Sequence, residues 1–122
     1  MVDSPISVIR LTTLKQPDVD ILVNCAGVTQ QSILPQTDPR TVENILDTNL
    51  RGAIWGCKFV GKHMIRTKKK GCIINVSSLL ASKAVAGTSV YAASKAGLLG
   101  KRLPFMHTMH NAADRQNLLT QG

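Results

Sequence analysis

Tyr91 and Lys95 stand four residues apart in Tyr91-Ala92-Ala93-Ser94-Lys95, and Ser78 lies thirteen residues before the tyrosine. On a helix, residues four apart share one face, a turn above each other. A phenol titrates near ~10 in isolation, too high for acid–base work at neutral pH. An ammonium held one turn away favours the phenolate and lowers that value. A serine hydroxyl brought alongside by folding can hold a carbonyl oxygen while the tyrosine delivers or removes a proton. The Tyr-x-x-x-Lys spacing alone is common by chance, so its meaning depends on its surroundings.

The elements that must position these residues follow from pattern. Residues 20–25 are a continuous apolar run, suited to a strand buried on both faces, and end in Asn24-Cys25-Ala26-Gly27. Thr29 to Thr37 reads as a polar loop. Asp38 before Pro39 is a helix start, an acceptor cap followed by a proline in the first turn. From there Val42, Ile45, Leu46, Leu50, Ala53, Ile54, Cys57, Met64 and Ile65 recur at steps of three and four. That spacing predicts one long amphipathic helix to about residue 66. Lys68-Lys69-Lys70-Gly71 ends it, with basic charge against its carbonyl end. Cys72 to Val76 is a second buried strand. A loop through Ala81–Thr88 leads to the helix carrying Tyr91 and Lys95. Strand–helix–strand–helix is a right-handed parallel unit, hence an α/β fold.

Four blocks then stand in fixed order: Asp20 to Gly27, Thr48-Asn49-Leu50-Arg51-Gly52, Gly71 to Ser78, and Tyr91 to Lys95. In that order and spacing the chain resembles the short-chain dehydrogenase/reductase family over roughly residues 18–100. Within it the chain is most similar to the 3-oxoacyl-[acyl-carrier-protein] reductases and their carbonyl-reductase relatives. The resemblance implies a partial Rossmann-like doubly wound parallel sheet, the two strands being the fourth and fifth of seven. It implies that Asn24, Ala26 and Gly27 form a turn close to the cofactor, with Tyr91 and Lys95 also binding it. Asn49 would bend the long helix and hold a water of the proton relay. Ser78 would hold the carbonyl oxygen, Tyr91 donate the proton, and Lys95 lower the tyrosine pKa and bind the nicotinamide ribose. Ser77 is then structural. The implied cofactor is NADP, with NAD kept beside it, and the substrate a small-molecule or acyl-thioester carbonyl. The helix over 39–66 would serve a homo- or hetero-oligomer, since family members pack it in a four-helix dimer interface.

The chain also departs from the family. No glycine-rich T-G-x-x-x-G-x-G turn, which seats the pyrophosphate on a helix N-terminus, occurs in the sequence. After Gly100, where the family continues an Ala-rich helix, stand Lys101-Arg102-Leu103-Pro104, and the proline disfavours helix before it. The expected organisation is an atypical segment over 1–17, a partial domain over 18–100 and a divergent, disordered tail over 101–122. Two functions of different class follow: an oxidoreductase, or a catalytically silent truncated fragment that acts by associating with a full-length relative.

Composition narrows the remaining classes. The 122 residues are 43% hydrophobic and 3% aromatic, with a formal charge of +8. Such a balance suits polyanions, yet the lack of interleaved aromatics argues against nucleic acid. No apolar run approaches the ~18 residues of a membrane span. The odd set Cys25, Cys57 and Cys72 reads as reduced, buried thiols of a cytoplasmic protein, the mitochondrion being the alternative compartment. No metal site is expected, because the one tight ligand pair, His107-x-x-His110, falls in the tail. Gly56-Cys57-Lys58-Phe59-Val60-Gly61-Lys62 imitates a phosphate loop but lies inside the long helix, with His63 where Ser or Thr belongs. Asn75-Val76-Ser77 is a glycosylation sequon only formally, being in a buried strand. Lys58, Lys62, Arg66 and Lys70 form a basic stripe, read as a solvated face that could also grip an acyl-carrier protein.

Overall fold

The computed structural model describes residues 19–68 and 71–100 and the backbone of 106–109. The segment over 1–17 and most of the tail over 101–122 lie outside the described residues. Strand β1 (Ile21–Asn24) is followed by a short 3-10 turn (Leu34–Gln36) and helix α1 (Pro39–Leu46). A π-helical turn (Asp47–Arg51) joins α1 to α2 (Gly52–Thr67). Then come β2 (Cys72–Val76), a 3-10 turn (Leu79–Ala81), α3 (Ser89–Leu99) and β3 (Met106–Met109).

The local signals act as anticipated at both ends of the long helix. Asp38 Oδ1 accepts from Arg40 N at 2.7 Å, with Pro39 opening α1. Lys68 ends α2 in the left-handed region, at φ 53°. Between them the backbone stays helical through the π turn, so 39–67 is one helix carrying a single bulge.

The sheet is parallel, in the order β1-β2-β3. Ile21 pairs with Cys72 and Asn24 with Asn75, while Ile73 pairs with Met106 and Val76 with Met109. The tail thus contributes one strand to the sheet. Right-handed crossovers that add strands in one direction leave their helices on one face, which is one of the two windings of a doubly wound sheet. That face carries the core: Cys57, Val60 and Met64 of α2 pack on Ile73, with Val19 and Leu22 against them.

The other face differs from expectation. Ile21 is 62% and Val23 52% exposed. Side chains alternate along a strand, so these two point away from α2. Among the described residues nothing buries them.

Candidate active site

The C-terminal ends of β1 and β2 open into a cleft of about 460 Å³. Cys25 and Gly27 line it from the loop after β1, Val76 from the end of β2, Ser77 from just beyond it, and Tyr91 and Lys95 from α3. In parallel α/β sheets this is where ligands bind, because loops there diverge while the strands stay fixed. Tyr91 and Lys95 face the cleft together because they are one helical turn apart on α3.

Lys95 is 4% exposed. Its Nζ donates to Val76 O at 3.0 Å and lies 5.9 Å from the centroid of the Tyr91 ring. Burial pushes the ammonium below the usual lysine range, and the charge of Cys25 opposes that shift. One of its three N–H donors is spent on Val76, which leaves donors for a ligand. A β-carbon on Gly27 would stand 3.4 Å from Lys95 Nζ and 3.7 Å from Asn49 Oδ1. A side chain there would press on both groups, so the bare backbone keeps this wall of the cleft open.

Asn49 sits in the π turn and is 1% exposed. Its Oδ1 accepts from Val28 N at 2.8 Å, and its Nδ2 donates to Val28 O at 2.9 Å and to Ser94 Oγ at 3.0 Å. Both N–H groups are thereby used, so the side chain grips the loop after β1 and presents no donor to the cleft. Ser94 Oγ in turn donates to Tyr91 O at 2.7 Å. From the same loop, Gln30 Oε1 accepts from Val90 N at 2.7 Å and Tyr91 N at 3.2 Å.

The two serines take separate posts. Ser77 is buried and its Oγ donates to Lys95 O at 2.8 Å, tying β2 to α3. Ser78 is half-buried, and its Oγ accepts from Leu80 N at 3.2 Å at the start of the 3-10 turn. Asn24 turns its side chain the other way, under α2. Its Nδ2 donates to Asn75 Oδ1 at 2.8 Å and reaches Cys57 Sγ at 3.4 Å. Gly56 makes that possible, since a β-carbon there would stand 2.7 Å from Asn24 Oδ1. Ala26 is exposed beside Gly27.

The three cysteines differ from one another. Cys25 is exposed at the cleft, not buried in a strand as anticipated, because β1 ends one residue earlier. Cys57 is buried under the sheet, and burial pushes the Cys72 thiol up. Among the described residues no group of three or more His, Cys, Asp or Glu could hold a metal ion. No described helix is long and apolar enough to cross a membrane. On the outer face of α2, Lys58 Nζ lies 4.7 Å from the Trp55 ring centroid, and Trp55 stacks on Phe59 at 5.8 Å. Lys70 of the basic stripe lies outside the described residues.

The sequence pattern pointed to Tyr91, Lys95 and Asn49 and not to Gln30 and Ser94, which hold the backbone of Tyr91. Ser94 could have been suspected from its place between them, one turn after Val90. Gln30 carried no signal, since it lies in a polar loop sixty residues from the N–H group it bonds.

A family model described as short chain dehydrogenase matches residues 7–119. The chain is 39% identical over 85 residues to 3-oxoacyl-[acyl-carrier-protein] reductase of Chlamydia pneumoniae, covering 70% of this chain and 34% of that protein. It is 39% identical over 83 residues to carbonyl reductase family member 4 of Xenopus tropicalis, covering 68% and 35%. The solved structure of 4-hydroxyisoleucine dehydrogenase complexed with NADH and succinate superposes with a TM-score of 0.75 at 28% identity. It covers 80% of this chain and 47% of that one. The chain spans about a third of the length of the curated relatives it matches.

Proposed function

The chain belongs to the short-chain dehydrogenase family, and from that premise we propose that its cleft belongs to an NAD(P)(H)-dependent oxidoreductase that reduces ketones. The observation that carries this reading is Tyr91 and Lys95 side by side in one cleft, Nζ 5.9 Å from the ring centroid. The residues present fit the nicotinamide end of such a cofactor. Gly27 leaves backbone bare beside the ammonium, and Lys95 keeps donors for ribose hydroxyls. A bound dihydronicotinamide supplies a hydride to the carbonyl carbon. Ser78 holds the carbonyl oxygen, and Tyr91 delivers the proton to that oxygen as it gains charge. Lys95 steadies the phenolate left behind. Asn49 fixes the loop wall through Val28 and, with it, the site of the relay water.

The substrate is a 3-oxoacyl thioester or another small carbonyl compound, in keeping with the two reductases named above. NADP(H) is the cofactor of choice, the cytoplasm the compartment, and the helix over 39–67 the oligomer contact. A second reading, association of a catalytically silent chain with a longer relative, is favoured by the exposed apolar Ile21 and Val23 on one face of the sheet.

The test is a titration of the purified chain with NADPH, followed by nicotinamide fluorescence and thermal melting, and then by ketone reduction. Tyr91→Phe should lower the reduction rate at least about a hundredfold with binding retained. Saturable binding with a raised melting temperature supports the enzyme. No binding, with unchanged association to a full-length relative in Tyr91→Phe, supports the second reading instead.

A further inference from the structure

We infer that Gln30 is a positioning residue for Tyr91, capping from a distance the helix that carries it. The first N–H groups of a helix have no partner inside the helix and are normally served by the side chain just before it. Here that residue is Thr88, and it makes no such bond. Its Oγ1 is turned back, donating to Val85 O at 2.7 Å and accepting from Val85 N at 3.1 Å. Gln30 fills the post. Its Oε1 takes the N–H groups of Val90 and Tyr91, the second and third residues of α3. Its Nε2 donates to Ser32 O at 2.9 Å, which holds the amide in place. The side chain is 5% exposed, so water is a poor substitute for it.

The consequence reaches the cleft. Both backbone polar groups of Tyr91 are held by side chains, the N–H by Gln30 and the carbonyl by Ser94. Ser94 is bonded to Asn49, and Asn49 to both backbone groups of Val28. The circuit therefore runs from Gln30 through Tyr91, Ser94 and Asn49 back to Val28, two residues from its start. The wall carrying Gly27 and the helix carrying Tyr91 are locked at a fixed separation across the cleft. For its effect on rate this inference rests on the proposed role of Tyr91. The contact itself does not.

The experiment compares Gln30→Met, which matches the side chain's length without its acceptor, with Gln30→Glu, which keeps the acceptor and gives up the donor to Ser32 O. Tyr91 is the only tyrosine of the chain, so its ring carbon gives one signal in a tyrosine-labelled sample. In Gln30→Met, the Val90 and Tyr91 amides should lose about tenfold or more of their exchange protection, and the ring signal should move. Amides around Val60 in α2 should not change. In Gln30→Glu the Val90 and Tyr91 N–H groups regain an acceptor while the donor to Ser32 O stays lost, so both signatures should recover in part. Where ketone reduction is measurable, kcat should fall about tenfold in Gln30→Met with KM nearly constant, and should recover in part in Gln30→Glu. If Gln30→Met does not fold, Gln30→Asn, one methylene too short, should give the same losses. Unchanged Val90 and Tyr91 amides, losses spread evenly into α2, or no recovery in Gln30→Glu would each overturn the assignment. A wild-type chain that reduces no ketone would sink the functional reading, and the amide and ring signals would still decide this one.

Discussion

Asn49 and Asn75 are both buried asparagines, 1% and 0% exposed, yet they are served very differently. Asn49 has its carbonyl oxygen and both amide hydrogens engaged, by Val28 and Ser94. Asn75 accepts from Asn24 at 2.8 Å and from Cys57 Sγ at 3.6 Å, while its Nδ2 is buried with no hydrogen-bond partner among the described residues. The first cluster joins a loop, a bent helix and the helix of Tyr91, three elements whose relative placement sets the cleft. The second joins neighbouring strands to the helix above them, which the ladder and the apolar core already hold. A complete polar network is found where it alone fixes geometry, and an incomplete one where packing already does.

Substitution can break that contrast. Asn49→Leu leaves both backbone groups of Val28 without the side chain that serves them and takes from the Ser94 hydroxyl the bond it accepts, around a residue that is 1% exposed. It should cost roughly 3–5 kcal/mol, read from urea midpoints, and should widen the Val28–Tyr91 linkage before the rest of the fold melts. Asn75→Leu loses one amide bond and a thiol contact but removes an orphaned buried donor. Its cost should be only about 0–1 kcal/mol by the same measurement. Equal losses in the two variants would show that the completeness of a network here has no bearing on its worth.

A smaller effect sharpens the electrostatic side. Burial holds the Lys95 ammonium below the ordinary lysine range, so the folded chain releases that proton at lower pH than the unfolded chain. Between those two values the unfolded state binds more protons, and stability rises with pH. Below both, Lys95 is charged in each state and the full burial penalty stands. Urea midpoints taken up to the unfolded lysine value of about 10.4 should show this rise, and Lys95→Met should flatten it. A rise of the same size in Lys95→Met would assign it to another group.

Much of the fold was legible because it is local. The cap at Asp38, the periodicity from Val42 to Ile65, the apolar run at Cys72–Val76 and the four-residue spacing of Tyr91 and Lys95 depend on neighbours within about one turn. The π turn was not legible as such, because one inserted residue shifts an apolar pattern less than ordinary variation does. The pairing of Asn24 with Asn75 was also hidden. It exists only because the register sets those two opposite each other and Gly56 lets the helix approach. The strand Met106–Met109 in the tail was missed too, since four residues of mixed polarity have no period to detect.

Taken alone, the amino-acid order determined that Tyr91 and Lys95 share a helical face, that a long helix separates two apolar strands, and which family such blocks resemble. Those features are set by backbone geometry over a few residues. The tertiary structure decided which side chains hold that face in place. Gln30 reaches Tyr91 across sixty-one positions, and Asn49 reaches Ser94 across forty-five. Hydrogen bonds between residues so far apart depend on where whole elements come to rest, and no local pattern encodes that.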